Sequence, residues 1–366
     1  MKILIVNTVP TERNGITNVI LNLFKYFDLK DCSIDFVTIN NPEPSIIKIV
    51  ESRGGKVFTI PRKIKNPFKY IRQLSRLAKG YDVMHVHGNS ATMILEMIAA
   101  KIADVKLRIA HSHNTSCSMH IMDNLSRPLF YALCNGRLAC GKEAGKWLFR
   151  NRNFLVINNG IDTEKFRFNQ KIRDSIRKNL GWNNYKIIAN VANFVEAKNH
   201  EFLISVFANL CNIRSDVRLL LLGDGPLIDN AKKLADELGL VNNIHFAGAV
   251  PNVNEYLSAI DLIIMPSKFE GFPLTLVEEQ ANGLKAIVSD RVTKDADMTG
   301  LLSLIPLNKG TKYWAENILK ILDNGIERNA SCSSRSIDMI KKAGYDIHSS
   351  AQKLKNYYIS KLYENK

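Results

Sequence analysis

No stretch of the 366 residues supplies the run of about 18 to 20 apolar side chains that a bilayer crossing requires. The opening MKILIVNTVP has only four consecutive apolar residues after its lysine. It reads as a first β-strand, not as a signal peptide or an anchor. Cysteine is sparse and scattered: Cys32, Cys117, Cys134, Cys140, Cys211 and Cys332 show neither metal-site nor redox spacing. Free thiols in a reducing cytoplasm are therefore expected, with no disulfide and no metal site. No G-x-G-x-x-G follows the first strand of either half, which argues against a nicotinamide-dependent oxidoreductase. An aromatic RNA-binding motif, a zinc finger and a helix-turn-helix pattern are also missing, so nucleic acid is not an expected partner despite the formal net charge of +15.

Acidic residues are the remaining shortage, and it is local. Residues 1–165 carry 24 Lys and Arg against 13 Asp and Glu, a net of +11, whereas the rest of the chain nets +4. The stretch RKIKNPFKYIRQLSRLAKG, Arg62 to Gly80, holds seven basic residues and no acid. Phe68, Ile71, Leu74 and Leu77 recur in it at helical spacing, predicting a basic amphipathic helix from Pro67. Two readings stay open: a surface helix whose stripe packs on a sheet, or one that also presents its cations to an anionic membrane surface.

What is present is globular and abundant. Hydrophobic residues make up 46% and charged residues 23%, enough for two cored domains in a chain of this length. Short β-branched runs alternate with helical patterns, the mark of parallel α/β architecture. Strands are expected at KILIVN, SIDFVTIN, KVFTIP, DVMHVHG, LRIAHSH and FLVINNG, with helices over 17–27, 45–53, 67–79, 91–103 and 127–133. The alternation pauses at NNGIDTEKFRFN and resumes with KIIANVANF, VRLLLLGDG, NIHFAGAV, DLIIMPS and KAIVSD. This divides the chain into a first domain over 1–165, a second over 166–345 and a terminal helix over 346–366 that could cap either. Each domain is read as a doubly wound Rossmann-like sheet, with ligands expected at the strand carboxyl ends and a shared cleft as the natural place for a site.

The chemistry concentrates in DLIIMPSKFEGFPLTLVEEQANGLKAIVSD. A buried strand leads to a loop and then to a helix with Pro273 near its first turn. The amides and positive dipole end of such a helix suit a diphosphate. Glu270 on the loop could accept hydrogen bonds from hydroxyls of the group the diphosphate carries, and Glu278 could reach a ribose diol. The plainer alternative is that Glu270 caps the helix and Glu278 is solvated.

PSKFEGFPLTLVEEQANGL resembles the signature segment of the retaining glycosyltransferases of family 4, which have the GT-B fold. FVEAKNHEFLISVF is similar to their phosphate-binding loop and helix, and LLLLGDGPL to their glycine-rich turn. VMHVHGNSATMILE and RIAHSHNT resemble the branch that builds bacterial capsular and exopolysaccharides. The resemblance spans nearly the whole chain. It implies two doubly wound domains facing a cleft and transfer of a sugar from a nucleotide-diphosphate sugar, UDP favoured, to a lipid-linked or polysaccharide acceptor. It also implies retained anomeric configuration, no metal and no cofactor, and a cytoplasmic protein that could sit at the inner membrane surface.

Carried over by position, the resemblance makes His113, Lys198 and Glu270 the catalytic residues. Glu270 would hold the donor sugar and Glu278 the ribose. The amides of Gly271, Phe272, Pro273, Leu274 and Thr275 would lie around the diphosphate, of which Pro273 can offer only its carbonyl. Lys198 would neutralise the leaving diphosphate, stabilising charge as it develops. Gly15, beside Asn14, would let backbone approach the donor phosphate, and Gly223 and Gly225 would form the turn near the donor. His87, Asn89 and His111 are expected at the acceptor. His111 lies two residues before His113 on the same side of a strand, so either could be the ring close to the transferred sugar.

The chain departs from the family pattern in three places. Asn193 stands where a basic residue is usual, removing one charge-assisted contact worth about 1.5 to 3 kcal/mol. Lys285 replaces a proline and Glu279 an alanine. Asn193 also motivates a second reading, a non-catalytic GT-B partner within a polysaccharide assembly complex.

Overall fold

The computed structural model describes residues 1–12 and 15–364, so the expectation placed on Asn14 lies outside the described residues. The chain forms two compact units: Met1–Gly160 together with the segment from Ile347 onward, and Ile161–Asp346.

The first unit is built on β1 (Lys2–Asn7), β2 (Ser33–Thr38), β3 (Val57–Thr59), β4 (Val83–Gly88), β5 (Leu107–Ser112), β6 (Gly136–Ala139) and β7 (Leu155–Val156). Its helices are α1 (Gly15–Tyr26), α2 (Pro44–Glu51), α3 (Pro67–Leu77), α4 (Ile94–Ile102), α5 (His120–Leu133) and α6 (Lys142–Phe149), joined by α14 (Ile347–Glu364) from the end of the chain. The strands run parallel in the order β3-β2-β1-β4-β5-β6-β7. Apolar residues of α3 to α6 cover one face, and those of α1, α2 and α14 cover the other. A sheet covered on both sides explains why β4 is buried along its whole length, its two histidines included.

The second unit repeats the plan with β8 (Lys186–Val191), β9 (Val217–Leu222), β10 (Ile244–Gly248), β11 (Leu262–Met265), β12 (Lys285–Ser289) and β13 (Leu302–Ile305). Its helices are α7 (Gln170–Leu180), α8 (His200–Cys211), α9 (Ile228–Glu237), α10 (Val253–Ala259), α11 (Leu274–Ala281), α12 (Gly310–Asp323) and α13 (Ala330–Lys342). The strand order is β10-β9-β8-β11-β12-β13, again parallel. Order reverses between β8 and β11 here and between β1 and β4 in the first unit. In open α/β sheets that switch point is where loops part and ligands bind.

Local sequence sets the ends of the elements. Asn66 caps α3 by accepting from the Lys69 amide at 2.9 Å, with Pro67 at the first helical position. Gly181, at φ +70°, ends α7 in the left-handed conformation that costs glycine little.

Two expectations are corrected. Phe68 does not face the sheet but is 84% exposed, because the inward face of α3 is set by Tyr70, Leu74 and Ala78 at i, i+4 and i+8. Tyr70 is drawn inside by its hydroxyl, which donates to Glu96 at 2.7 Å. The helix expected from Arg127 begins at His120, so Pro128 lies within α5. Its inner face is anchored by Asp123 and Arg127, a buried pair at 2.6 Å that apolar periodicity does not register. The strands β6 and β13 and the helices α6, α7, α9, α10, α12 and α13 have no counterpart among the elements expected from the sequence; four-residue runs such as GRLA carry too little alternation to be read.

Candidate active site

In the second unit the loops after β8 and β11 flank the switch point and are tied together. The Lys268 amide donates to the Ala197 carbonyl at 2.8 Å, and Asn199 Nδ2 donates to the Pro266 carbonyl at 3.1 Å. The first loop makes a 3-10 turn over Glu196–Lys198 and then bends into α8 at Asn199, which takes a left-handed φ of +59°. Asparagine tolerates that conformation better than most residues. The turn thereby aims Lys198 at the second loop.

There its Nζ lies 2.5 Å from Glu270 Oε1, and the side chains are 24% and 9% exposed. Ser267 Oγ donates to the same carboxylate oxygen at 2.8 Å. The Ser267 carbonyl in turn accepts from Ser289 Oγ at 2.6 Å, fixing the loop to β12. Lys198 and Glu270, far apart in sequence, thus form one partly buried ion pair at the carboxyl edge of the sheet. Ser267 had no mark in the sequence; its role comes from position alone. A pocket of about 400 Å³ between the start of α8 and α9 is lined by Asn199, His200, Asn230 and Lys268 among others, with neither Lys198 nor Glu270 in its wall.

Beyond Glu270, α11 opens at Leu274 with Pro273 at its N-cap and closes before Gly283, whose φ is +75°. Gly271 and Thr275 flank this start, and Phe272 stacks on Tyr345 with ring centroids 5.0 Å apart. Glu278 is half-buried one turn further on. Burial pushes its carboxyl up to about 7, with Lys165 opposing the shift. Its neighbour Glu279 is fully buried, and neither carboxyl oxygen has a partner. Burial, reinforced by Glu278 and Glu270, holds that carboxyl well above the ordinary carboxylate range.

Gly223 and Gly225 lie where only glycine fits. At φ +146° and +156°, a Cβ on Gly223 would sit 2.0 Å from the Ala192 carbonyl oxygen, and one on Gly225 would sit 2.6 Å from that of Phe194. Their turn is therefore pressed against the backbone that carries Asn193, whose side chain is exposed.

The first unit holds a second cluster. His87 on β4 and His111 on β5 are register partners, and His85 and His113 flank them. The four rings stack, His85 on His87 at 4.1 Å and His111 on His113 at 4.4 Å between centroids. His87 Nδ1 and His113 Nε2 share a hydrogen bond of 2.8 Å, while His85 bonds Tyr358 Oη at 2.6 Å and His111 Nδ1 at 3.1 Å. His111 Nε2 is buried without a partner. Burial holds His85, His87 and His111 well below the ordinary imidazole range and His113 at about 4. All four are neutral at physiological pH, fit to exchange hydrogen bonds but not to supply charge.

Among the described residues His85, His87 and His111 are best placed to hold a metal ion, with ring nitrogens within 4.8 Å of one another. His85 and His87 nevertheless spend nitrogens on Tyr358 and His113, and among the described residues no carboxylate joins the cluster to balance a cation. Asn89 lies just past β4, its carbonyl accepting from Trp147 Nε1 at 3.0 Å and its buried Oδ1 unpartnered. Gly15 begins α1, exposed, where a Cβ would touch nothing within 4 Å.

Comparison with known proteins now decides the family. Residues 172–338 match the model for glycosyl transferases group 1, and residues 13–165 match that for Glycosyltransferase Family 4. EpsF of Bacillus subtilis, classed as a glycosyltransferase, is 31% identical over 364 residues, covering 95% of this chain and 94% of that one. The chain belongs to the glycosyltransferases. The capsular polysaccharide biosynthesis glycosyltransferase CapH of Staphylococcus aureus is 25% identical, over 85% of this chain and 86% of CapH. The crystal structure of Anabaena HepE in complex with UDP superposes with a TM-score of 0.77 at 18% identity, covering 98% of this chain and all of that one. That likeness shows the GT-B fold. The glycosyltransferase thus carries its Lys198–Glu270 pair in the region matched to group 1 and its histidine cluster in the region matched to Family 4.

Proposed function

We propose that this glycosyltransferase moves a sugar from a nucleotide-diphosphate sugar, a UDP-sugar foremost, to a hydroxyl of a lipid-linked or polysaccharide acceptor in cell-surface polysaccharide synthesis. The observation that carries the reading is the Lys198–Glu270 pair, held at a switch point beside the start of α11. An incoming diphosphate offers Lys198 a stronger anion than Glu270, and the freed carboxylate can accept hydrogen bonds from sugar hydroxyls. The first amides of α11, at Leu274 and Thr275, suit the diphosphate, and Glu278 suits the ribose diol. Lys198 then neutralises charge as the nucleotide departs, the role in which a preplaced cation lowers a barrier most.

The transfer retains the anomeric configuration by front-face attack. The bond from the anomeric carbon to the diphosphate oxygen breaks, the acceptor oxygen bonds that carbon, and the departing phosphate oxygen takes the acceptor proton. His113, neutral and braced by His87, hydrogen-bonds the sugar without adding charge. Lys198 supplies the cation, and the reaction runs without a metal ion. HepE, crystallised with UDP, supports the choice of nucleotide, and CapH supports the choice of pathway. No helix among the described residues is long and apolar enough to cross a membrane. The enzyme acts from the cytoplasmic side, drawn to an anionic surface by its basic first half.

Incubation with a panel of nucleotide sugars, read by nucleotide release with and without a chelator, tests this. Release from one donor, unchanged by chelator, is expected; a folded protein that turns over none would sink the reading. Asn193, exposed where a cation is usual in the family, favours the second reading of a non-catalytic partner subunit. In that case Lys198→Ala and Glu270→Ala would leave polysaccharide production in cells intact.

A further inference from the structure

In the first unit α3 packs on α4 and α4 on α5, so the three helices form one outer layer over the same face of the sheet. The outside of α5 is apolar. Ile121 is 77% exposed, Leu125 72%, Leu129 51% and Met122 50%. Ile121, Leu125 and Leu129 repeat at i, i+4 and i+8, so they line a single stripe about 12 Å long. The same layer exposes Phe68 and Ile64 at the start of α3 and Ile102 at the end of α4. Single exposed apolar residues are ordinary, but a contiguous set marks an interaction surface.

The inside of α5 makes the arrangement sharper. Asp123 accepts from the Ala91 amide at 2.6 Å and pairs with Arg127, whose guanidinium also donates to the Leu148 carbonyl at 2.8 Å. A polar anchor thus faces the core of the unit while most of the large aliphatic residues of this helix face outward, the reverse of an ordinary surface helix.

Charge selects the partner. The exposed charged residues of α3 to α6 are Lys69, Arg72, Arg76, Lys101, Lys142, Glu143 and Lys146, and the one acid among them is paired with Lys146 at 2.8 Å. A second copy of this face would set like charges against each other. Aliphatic side chains bordered by lysine and arginine instead match the chemistry of an interface rich in anionic lipid.

We propose that this layer is the surface by which the protein docks on an anionic lipid bilayer, with Ile121, Leu125 and Leu129 entering the acyl boundary. The proposal rests on the reading of a lipid-linked acceptor and gives it a place. α5 starts one short loop after His113, at the carboxyl edge of the sheet, so a sugar held near His113 on a lipid anchor would have the stripe beside it.

The test is co-sedimentation of the full chain with vesicles of phosphatidylcholine, with and without phosphatidylglycerol, for the wild type and Ile121→Glu/Leu125→Glu. Both positions are exposed, so the variant should melt as the wild type does. The wild type should bind the anionic vesicles, with the variant weaker by about tenfold or more. Equal binding by the variant, or no binding by the wild type, overturns the proposal. So does a dimer in solution that the double substitution dissociates, since the stripe would then belong to a second copy. Vesicle binding needs no donor. Loss of binding in the variant alongside failure to glycosylate any lipid-linked acceptor would sink the acceptor reading alone. Detergent-solubilised turnover without vesicle binding would sink the docking surface alone.

Discussion

Glu278 shows how a single side chain can carry a pH dependence. With its carboxyl raised to about 7, it is only part-ionised at neutrality, and the ionised form would be the stronger acceptor for the ribose diol proposed to meet it. Nucleotide affinity should therefore rise with pH through 7, and Glu278→Gln should flatten that dependence while weakening binding. Calorimetric titration of UDP at pH values on either side of 7 measures it. The histidine cluster works in the same sense, but through stability and at lower pH. The rings are held neutral in the folded chain, but in the unfolded chain they take up protons below the ordinary value near 6.5. Stability is thus complete above that pH and falls as acid is added towards 4, by about 1.4 kcal/mol per pH unit for each such ring. Hydrogen exchange across β4 and β5 should show protection falling from about pH 6.5 downward, and His87→Gln should reduce the slope. These residues were unequally legible. Lys198 and Glu270 sit in contiguous motifs. The pairing of His87 with His113 depends on the register of two strands, which only the folded sheet supplies.

Among the elements, the glycine-rich turn after β9 is the tightest fit. A methyl group on Gly223 would meet the Ala192 carbonyl at a distance no real Cβ adopts, and φ +146° is disfavoured for any other residue. Gly223→Ala should cost about 1 to 3 kcal/mol and displace the loop that carries Asn193, seen as a lower melting temperature together with weaker UDP binding. A melting temperature equal to that of the wild type would show the turn to be slack. The elements also show where reading the sequence works and where it stops. Strands such as KILIVN and KIIANV were legible because burial on both faces demands continuous apolar runs. The start of α5 was not, because its buried anchor is an ion pair and its apolar residues face outward, so the periodicity points the wrong way. Phe68 misled for the same reason: helical spacing identifies a stripe without saying which side is covered.

At the scale of the whole chain, each sheet brings chemistry to its own carboxyl edge, the neutral histidines in one unit and the cation–carboxylate pair in the other. The C-terminal helix α14 belongs to the first unit, where Ile347, Leu354 and Tyr358 complete the core beneath α1. Tyr358→Phe keeps the ring but leaves a buried His85 nitrogen unpaired, at a cost of about 1 to 3 kcal/mol, which denaturant titration should register. The proposed transfer as a whole stands on Lys198, paired with Glu270 and proposed to meet the departing diphosphate. The direct measurement is steady-state transfer from the preferred nucleotide sugar by the wild type and by Lys198→Ala. Loss of a preplaced charge that acts on the departing diphosphate should lower kcat by about 100- to 1000-fold with a much smaller change in KM. A variant that transfers sugar at the rate of the wild type would contradict the account.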